Sequence, residues 1–152
     1  MDTRALSVNF PLNTPTIIID VELFIPIIAD NEEKVVSIKT KALIDTGANS
    51  SCISERLALA CKLRPVSALK IVSAHGMSIA QVYEISLKLP NEILFKTVPV
   101  VEVSGSKFFD VIIGMDILSK GDFAFSSNEN ESCFTFRIPS ANQVIDFTKE
   151  KE

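Results

Sequence analysis

The most informative stretch of the sequence is Ala42-Leu43-Ile44-Asp45-Thr46-Gly47-Ala48-Asn49-Ser50. In it an apolar strand runs directly into an acidic residue, which a short flexible turn follows. Asp45 is therefore expected at the end of a strand, with the chain folding sharply around it at Thr46 and Gly47. Glycine allows close approach of the backbone, and neighbouring amide N–H groups can then hydrogen-bond the carboxylate. Alone, such a tripeptide is also an ordinary turn, so its meaning depends on the rest of the chain.

Strand patterns dominate the chain on both sides of this turn. Residues 17–25 are rich in β-branched and aromatic side chains, and residues 35–44 and 81–89 show the alternation of a half-buried strand. The pattern predicts an all-β fold, either a small closed barrel or a sandwich. Further strands are expected at 94–103, where Pro99 indicates an edge or a bulge, and at 123–125 and 134–138 as a hairpin. Short helices are expected at 55–61, with Ser54 as the N-cap, and at 116–120.

The composition limits the classes of partner. The chain has 152 residues, which is typical of one domain, and a net charge of −4, which argues against a broad nucleic-acid surface. Its most apolar stretch, residues 17–29, contains two acids and is too short to span a bilayer. Three cysteines without a paired spacing suggest reduced thiols. We therefore expect no nucleic-acid partner, no membrane contact and a cytoplasmic location.

Two further segments accompany the Asp-Thr-Gly turn. In Phe109-Asp110-Val111-Ile112-Ile113-Gly114-Met115-Asp116-Ile117-Leu118, an apolar strand ends at a glycine and enters a short helix. In Ile71-Val72-Ser73-Ala74-His75-Gly76-Met77-Ser78-Ile79-Ala80, a turn around Gly76 joins two strands. Each segment taken alone indicates only a buried strand with a tight exit or a plain hairpin.

Together and in this order, the three segments resemble the retropepsin-like aspartic proteases. The resemblance rests on Leu43 to Ala48, on the hairpin around Gly76, and on Ile112-Ile113-Gly114 with the short helix that follows. It implies a small closed β-barrel of the acid protease type with one or two short helices. The protease domain would span residues 16–140, between an N-terminal extension of residues 1–15 and a C-terminal extension of residues 141–152 with a charged tail.

The resemblance also implies the site and its assembly. Asp45, Thr46 and Gly47 would be the catalytic residues, with Asp116 at the start of a helix or supporting the site from behind. The hairpin around Gly76 would fold over a peptide bound in extended form, and no cofactor or metal would be needed. Contacts with the substrate are expected from Ala48, Asn49, His75, Gly76, Met77, Ile113 and Gly114.

The chemistry of peptide hydrolysis by carboxylates supports the same interpretation. It needs two carboxyl groups a few ångströms apart, of which one stays protonated because two like charges cannot both form at that distance. The chain holds one Asp-Thr-Gly and therefore half a site, so a homodimer with one Asp45 from each subunit is expected. The strands at Ile17–Leu23 and Val144–Thr148 are candidates for its interface.

Other functions stay open at this point. The same fold could serve as a non-catalytic dimerisation or peptide-binding module, which the absence of a glycine-rich hairpin tip favours. A third hypothesis is a monomeric barrel that binds a small apolar ligand. A metal site or a Cys52 nucleophile is disfavoured, since His75 is the only histidine available as a ligand or as an activating base.

Overall fold

The structure is a computed structural model that describes residues 2–29, 32–73 and 76–149. It contains ten strands, two short α-helices and one 3₁₀ turn within those residues. The elements are, in chain order, β1 (Arg4–Pro11), β2 (Ile18–Ala29), β3 (Glu32–Ile44), β4 (Cys52–Ser54), α1 (Glu55–Ala60), β5 (Ser67–Ser73), β6 (Gly76–Leu89), β7 (Ile93–Val103), β8 (Val111–Ile113), α2 (Met115–Leu118), β9 (Asp122–Ser127), β10 (Glu131–Ile138) and the 3₁₀ turn Phe147–Lys149.

Six of the strands form a closed ring. The larger sheet runs β2-β3-β8-β4-β7-β6-β5, and β2 also pairs with β6 through Glu22–Phe24, which closes the ring and leaves β5 outside it. Closure removes the unpaired edges that an open sheet would expose. The all-β fold class with short helices is confirmed, and the strands close on themselves as expected.

The core lies inside this ring. The alternation predicted for residues 81–89 is confirmed, because Tyr83, Ile85, Leu87 and Leu89 are all buried. The alternation of β3 is buried only near its end, at Ala42 and the residues after it. The first part of β3 has β2 as its partner and does not reach β8, which pairs with residues 42–44.

A second sheet joins a strand from the first residues of the described chain to two strands from its last third. β1 pairs with β10 from Arg4 to Pro11, and β10 pairs with β9, so the order is β1-β10-β9. The hairpin predicted from residues 123–125 and 134–138 is confirmed. Leu6 of β1 belongs to the buried core, so residues 4–11 pack onto the same body as the ring. The domain boundaries at residues 15/16 and 140/141 stay predictions.

Two prolines show how the strands tolerate a missing N–H. β2 continues three residues past Pro26, and there it pairs with β3. The proline nitrogen, which carries no hydrogen, can therefore point to the side of β2 that faces away from β3. Pro99 lies just after an irregularity in the β6–β7 register, at which Thr97 has a φ of 54°. The predicted edge or bulge at Pro99 is therefore a bulge beside it.

Candidate active site

Asp45 follows the last residue of β3 and is held from both sides. Its N–H donates to the Ile113 carbonyl at 3.0 Å, which continues the pairing of β3 with β8 by one residue. The Gly47 N–H donates to Asp45 Oδ1 at 2.9 Å, as the sequence predicted for an amide in this turn. The Ala48 N–H closes the turn on the Asp45 carbonyl at 3.2 Å. One carboxylate oxygen is thus fixed, while the other has no hydrogen-bond partner among the described residues.

The turn rests directly on the glycine that ends β8. A Cβ atom at Gly114 would lie 2.7 Å from the Ala48 carbonyl oxygen and 2.9 Å from the Ser50 carbonyl carbon. Both distances are shorter than any ordinary contact, so only glycine fits without displacing the turn. The next residue, Met115, donates its N–H to the Ala48 carbonyl at 2.8 Å. The two motifs that the sequence singled out therefore touch each other in the fold.

Asp116 fastens the far end of the same turn. It accepts the Ser51 hydroxyl at 2.7 Å and the Ser51 N–H at 3.0 Å, and Ser51 Oγ in turn accepts the Gly114 N–H at 3.1 Å. Ser51 is fully buried, so these bonds are shielded from water. Asp116 sits at the start of α2 and positions the 45–51 turn, which agrees with its predicted supporting place. Sequence reasoning missed Ser51, since no local pattern links residues 65 positions apart.

A second carboxylate, Asp110, joins the strand before Gly114 to its neighbours. It accepts hydrogen bonds from Thr40 at 2.8 Å, Ser54 at 2.8 Å and Arg56 at 2.6 Å. Partial burial opposes its ionisation, but these donors outweigh that effect and hold the pKa of Asp110 below its ordinary value. Ser54 also accepts the Leu57 N–H at 3.1 Å, which confirms it as the N-cap of α1.

Cys52, which follows the turn, stays a neutral thiol. Burial raises its pKa, and the nearby carboxylates of Asp116 and Asp45 raise it further. A cysteine nucleophile reacts as the thiolate, which this environment disfavours. A Cys52 nucleophile is therefore disfavoured, as the sequence predicts.

The remaining predicted site residues fall into two groups. Thr46 and Asn49 are exposed on the turn, and the Thr46 hydroxyl has no partner within the described part of the chain. Ile113 and Gly114 stand behind Asp45, and the Ile113 side chain is fully buried in the core. Their predicted contact with substrate stays a prediction.

The β5–β6 hairpin carries the others. Gly76 has a φ of 118°, a backbone conformation that favours glycine, and Met77 is 79% exposed. His75 lies outside the described residues. The structure thus brings Ala48, Ile113 and Gly114 together around Asp45, whereas Gly76 and Met77 lie on a separate, projecting hairpin.

The structure thus places the Asp-Thr-Gly turn at the end of a strand of the ring, in contact with Gly114, as the resemblance to the aspartic proteases implies. The family model of the gag-polyprotein putative aspartyl proteases matches residues 34–120, which include Asp45 and Gly114. The chain belongs to this family. A search of curated proteins gave no match.

One solved structure supports the fold, and two more distant ones were also matched. A retropepsin-like aspartic protease from Rickettsia conorii matches with a TM-score of 0.52 and 14% identity, over 90% of this chain and 96% of that one. The Simian Foamy Virus (mac) protease has a TM-score of 0.44 and 19% identity, over 67% of this chain and 91% of its own. The retroviral protease-like domain of Ddi1 from Leishmania major has a TM-score of 0.39 and 17% identity, over 72% and 90%.

The described residues contain no group of three or more His, Cys, Asp or Glu side chains placed to hold a metal ion. None of the helices in residues 2–29, 32–73 and 76–149 has the length and apolar character needed for a membrane span.

Proposed function

We propose that the protein is an aspartic endopeptidase that acts as a homodimer, with one Asp45 from each subunit. The observation that carries the proposal is the state of the Asp45 turn. Its backbone is fixed by Ile113, Gly114 and Asp116, yet one carboxylate oxygen and the Thr46 hydroxyl are left without partners among the described residues. Half of a two-carboxylate site requires an acid that is fixed in place and still has polar groups available for a partner. The Asp45 turn, with its partly exposed carboxylate, has this arrangement.

In the proposed reaction, the two Asp45 carboxyl groups share one proton. The ionised group takes a proton from a water molecule while the water oxygen bonds to the peptide carbonyl carbon. The protonated group gives its proton to the carbonyl oxygen. The carbon–nitrogen bond then breaks as the carboxyl group that took the water proton passes it to the nitrogen, and the other carboxylate takes a proton from a hydroxyl of the intermediate. The products are a carboxylic acid and an amine, and the pair again shares one proton. The pair titrates as one unit, so its two apparent pKa values belong to both subunits.

The other predicted site residues receive roles from their positions. Thr46 would donate its free hydroxyl across the axis and hold the two turns together. Ala48, Asn49, Gly76 and Met77 would contact the substrate, which the projecting β5–β6 hairpin would cover as an added strand. His75 belongs to the same predicted hairpin tip. The cytoplasmic location stays a prediction from the cysteine pattern.

Cleavage of a mixed peptide library tests the proposal. Wild type, Asp45→Asn and the control Asp20→Asn are compared between about pH 4 and 7.5. Asp20 is an equally conservative control, because its side chain is 83% exposed and pairs with Lys41 on the surface. We expect wild type and Asp20→Asn to cleave alike, and Asp45→Asn to be slower by about 100-fold or more. Undiminished cleavage by Asp45→Asn would refute the role of Asp45.

A mixing experiment tests the shared site. When an equal amount of Asp45→Asn is added to wild type and subunits exchange, the number of dimers with two Asp45 falls to about half. Activity should fall in the same proportion. A monomeric enzyme would lose nothing on mixing. If no variant cleaves any peptide while a peptide still binds, the non-catalytic peptide-binding module becomes the better description.

A further inference from the structure

We propose that a groove between the β2–β3 hairpin and the end of α1 binds a fatty-acid-type ligand, an aliphatic chain with a terminal carboxylate. The groove has a volume of about 490 Å³, which is within the range of small-molecule sites. One of its lining residues, Ile38, is seven positions before Asp45 on β3, or roughly 23 Å along the strand. The site is therefore separate from the Asp45 turn and does not depend on the proposed function.

The floor of the groove is the part of the β2–β3 hairpin that extends beyond the ring. β6 pairs with β2 only at Glu22–Phe24, and β8 pairs with β3 only at its last three residues. Residues 25–29 and 32–40, called here the outer hairpin, have only each other as strand partners among the described residues. The six residues of α1 extend over about 9 Å, whereas residues 25–29 extend over about 16 Å. The helix is therefore too short to cover this face of the outer hairpin.

The side chains of this face suit an aliphatic chain. Ile25 and Ile27 of β2 and Val36 and Ile38 of β3 line the groove, and the register places Ile25 opposite Val36. Ile25 is fully buried, Ile27 and Ile38 are partly buried against the core, and Val36 is 36% exposed. Apolar side chains that face a concave, accessible space are typical of small-molecule sites.

Two cations stand at the opposite wall and define the charge of the ligand. Lys62 and Arg64 line the groove, and neither forms an ion pair with another described residue. No acidic side chain is among the described residues that line it. The positive charge is thus uncompensated, and a guanidinium group can donate two parallel hydrogen bonds to one carboxylate. An apolar floor beside a cationic wall matches an anion with an aliphatic chain.

The backbone at Lys62 supports a role for its charge. Lys62 has a φ of 51°, in the left-handed region that favours glycine. It follows the C-cap Cys61, and the N–H groups of Lys62 and Leu63 donate to the Leu59 and Ala58 carbonyls at 3.0 Å each. Helices that end with this pair of bonds usually have glycine at this position. A lysine there costs stability, and such backbone outliers cluster at functional sites.

Cys61 lies in the same wall and reports directly on the groove. Burial raises the pKa of the Cys61 thiol, and the Asp110 carboxylate raises it further. Alkylation requires the thiolate, so it is measured at about pH 9. A ligand in the groove would shield the Cys61 sulfur. Cys133 is an internal control, because it lies on β10 beside Ser7 and is not among the lining residues.

The first test measures alkylation of each cysteine by iodoacetamide with site-resolved mass spectrometry, with and without sodium dodecanoate below its micelle concentration. With free dodecanoate at ten times its dissociation constant, the Cys61 rate should fall about 10-fold and the Cys133 rate should not change. Dodecyl maltoside has the same chain with a neutral head, and acetate has the carboxylate without the chain, so both should protect Cys61 much less. An unchanged Cys61 rate, equal protection by dodecyl maltoside, or equal slowing of all cysteines would overturn the inference.

A second test separates the charge of the groove from the stability of the fold. Lys62→Gly relieves the positive φ, so Tm should stay the same or rise, while the dissociation constant of dodecanoate should rise about 10-fold or more. Arg64→Gln should weaken binding similarly. The control Lys107→Gln changes an exposed lysine in the loop between β7 and β8 and should bind as wild type does. Unchanged dissociation constants for both groove variants would overturn the carboxylate contact.

Two further outcomes distinguish this inference from its alternatives. If a peptide of apolar and acidic residues protects Cys61 and dodecanoate does not, the groove is a protein-docking surface and the inference fails. Neither test uses peptide cleavage as a readout. If dodecanoate binds as expected but wild type cleaves no peptide, the ligand site stands and the proposed enzyme activity fails.

Discussion

Replacing Gly114 by alanine places a methyl group against the backbone of the Asp45 turn. The φ of Gly114 is −95°, which alanine adopts freely, so the effect is steric and not conformational. The new Cβ would lie 2.7 Å from the Ala48 carbonyl oxygen and 2.9 Å from the Ser50 carbonyl carbon. Both are backbone atoms, and the turn that carries them is tied to Asp116 and Ile113. The turn therefore has to move by several tenths of an ångström or lose one of these bonds.

Overpacking of this kind destabilises by about 1–3 kcal/mol, and the lower entropy of the unfolded alanine chain offsets about 0.4–1 kcal/mol. We therefore expect the free energy of unfolding to fall by up to about 2.6 kcal/mol, and Tm by up to about 10 °C for a chain of this size. The matched control is Gly105→Ala, in an exposed loop where the new Cβ would meet the Ser54 Cβ at 3.2 Å. That contact is longer than those at Gly114 and calls for a shift of only a few tenths of an ångström, so Gly105→Ala should lose less stability than Gly114→Ala.

The assay is thermal and urea unfolding of wild type and both variants at one protein concentration. The same samples are tested for peptide cleavage, because a displaced turn also moves Asp45. Gly114→Ala should lose both stability and activity, while Gly105→Ala should lose less stability and keep its activity. If Gly114→Ala unfolds at the same temperature as Gly105→Ala, the close approach of β8 to the turn is not the constraint described here.

Two predictions concern pH. Burial and the hydrogen bond to Glu102 at 2.5 Å raise the pKa of Tyr83 to about 12. Tyr83 is the only tyrosine and tryptophan is absent, so ultraviolet absorbance at alkaline pH follows the ionisation of this one side chain. The contribution of Tyr83 to the free energy of unfolding is present below about pH 10 and is lost as pH rises toward 12. A native midpoint near 10 would contradict its burial. Bonds from Ser140, Ala141 and Arg137 lower the pKa of Asp122 to about 2. Its contribution is present above about pH 4 and lost as pH falls toward 2, so Asp122→Asn should flatten acid unfolding in that range, and an unchanged curve would contradict this.

Local patterns in the sequence predicted the local parts of the fold. The alternation of residues 81–89 marks a strand with one buried face, and the structure buries those side chains. Ser54 before a short helix is a hydroxyl cap with its own chain as partner, so the information needed lies within four residues. The Asp45 turn is local for the same reason, because the amide that bonds its carboxylate is only two residues away.

Local sequence patterns could not predict the contacts between distant segments. β1 pairs with residues of β10 that are 120 or more positions away, and no pattern in residues 4–11 indicates which strand is the partner. The bond of Ser51 with Asp116 depends on α2 folding back over the turn. Both serine and aspartate are common in loops, so the two residues gain meaning only once the strands around them are placed.

The bonds around Asp45 show which parts of the turn one chain stabilises by itself and which polar groups the proposed second copy would bond. The backbone of the turn is bonded to β8, and its far end to Asp116, all within one chain. One oxygen of Asp45 and the Thr46 hydroxyl face outward without partners among the described residues. A turn stabilised by its own chain needs no second copy to fold, so a monomer should be folded. The second copy would then supply the other carboxylate and the other hydroxyl. Dimer formation would therefore be needed for peptide cleavage but would leave the fold of each subunit unchanged.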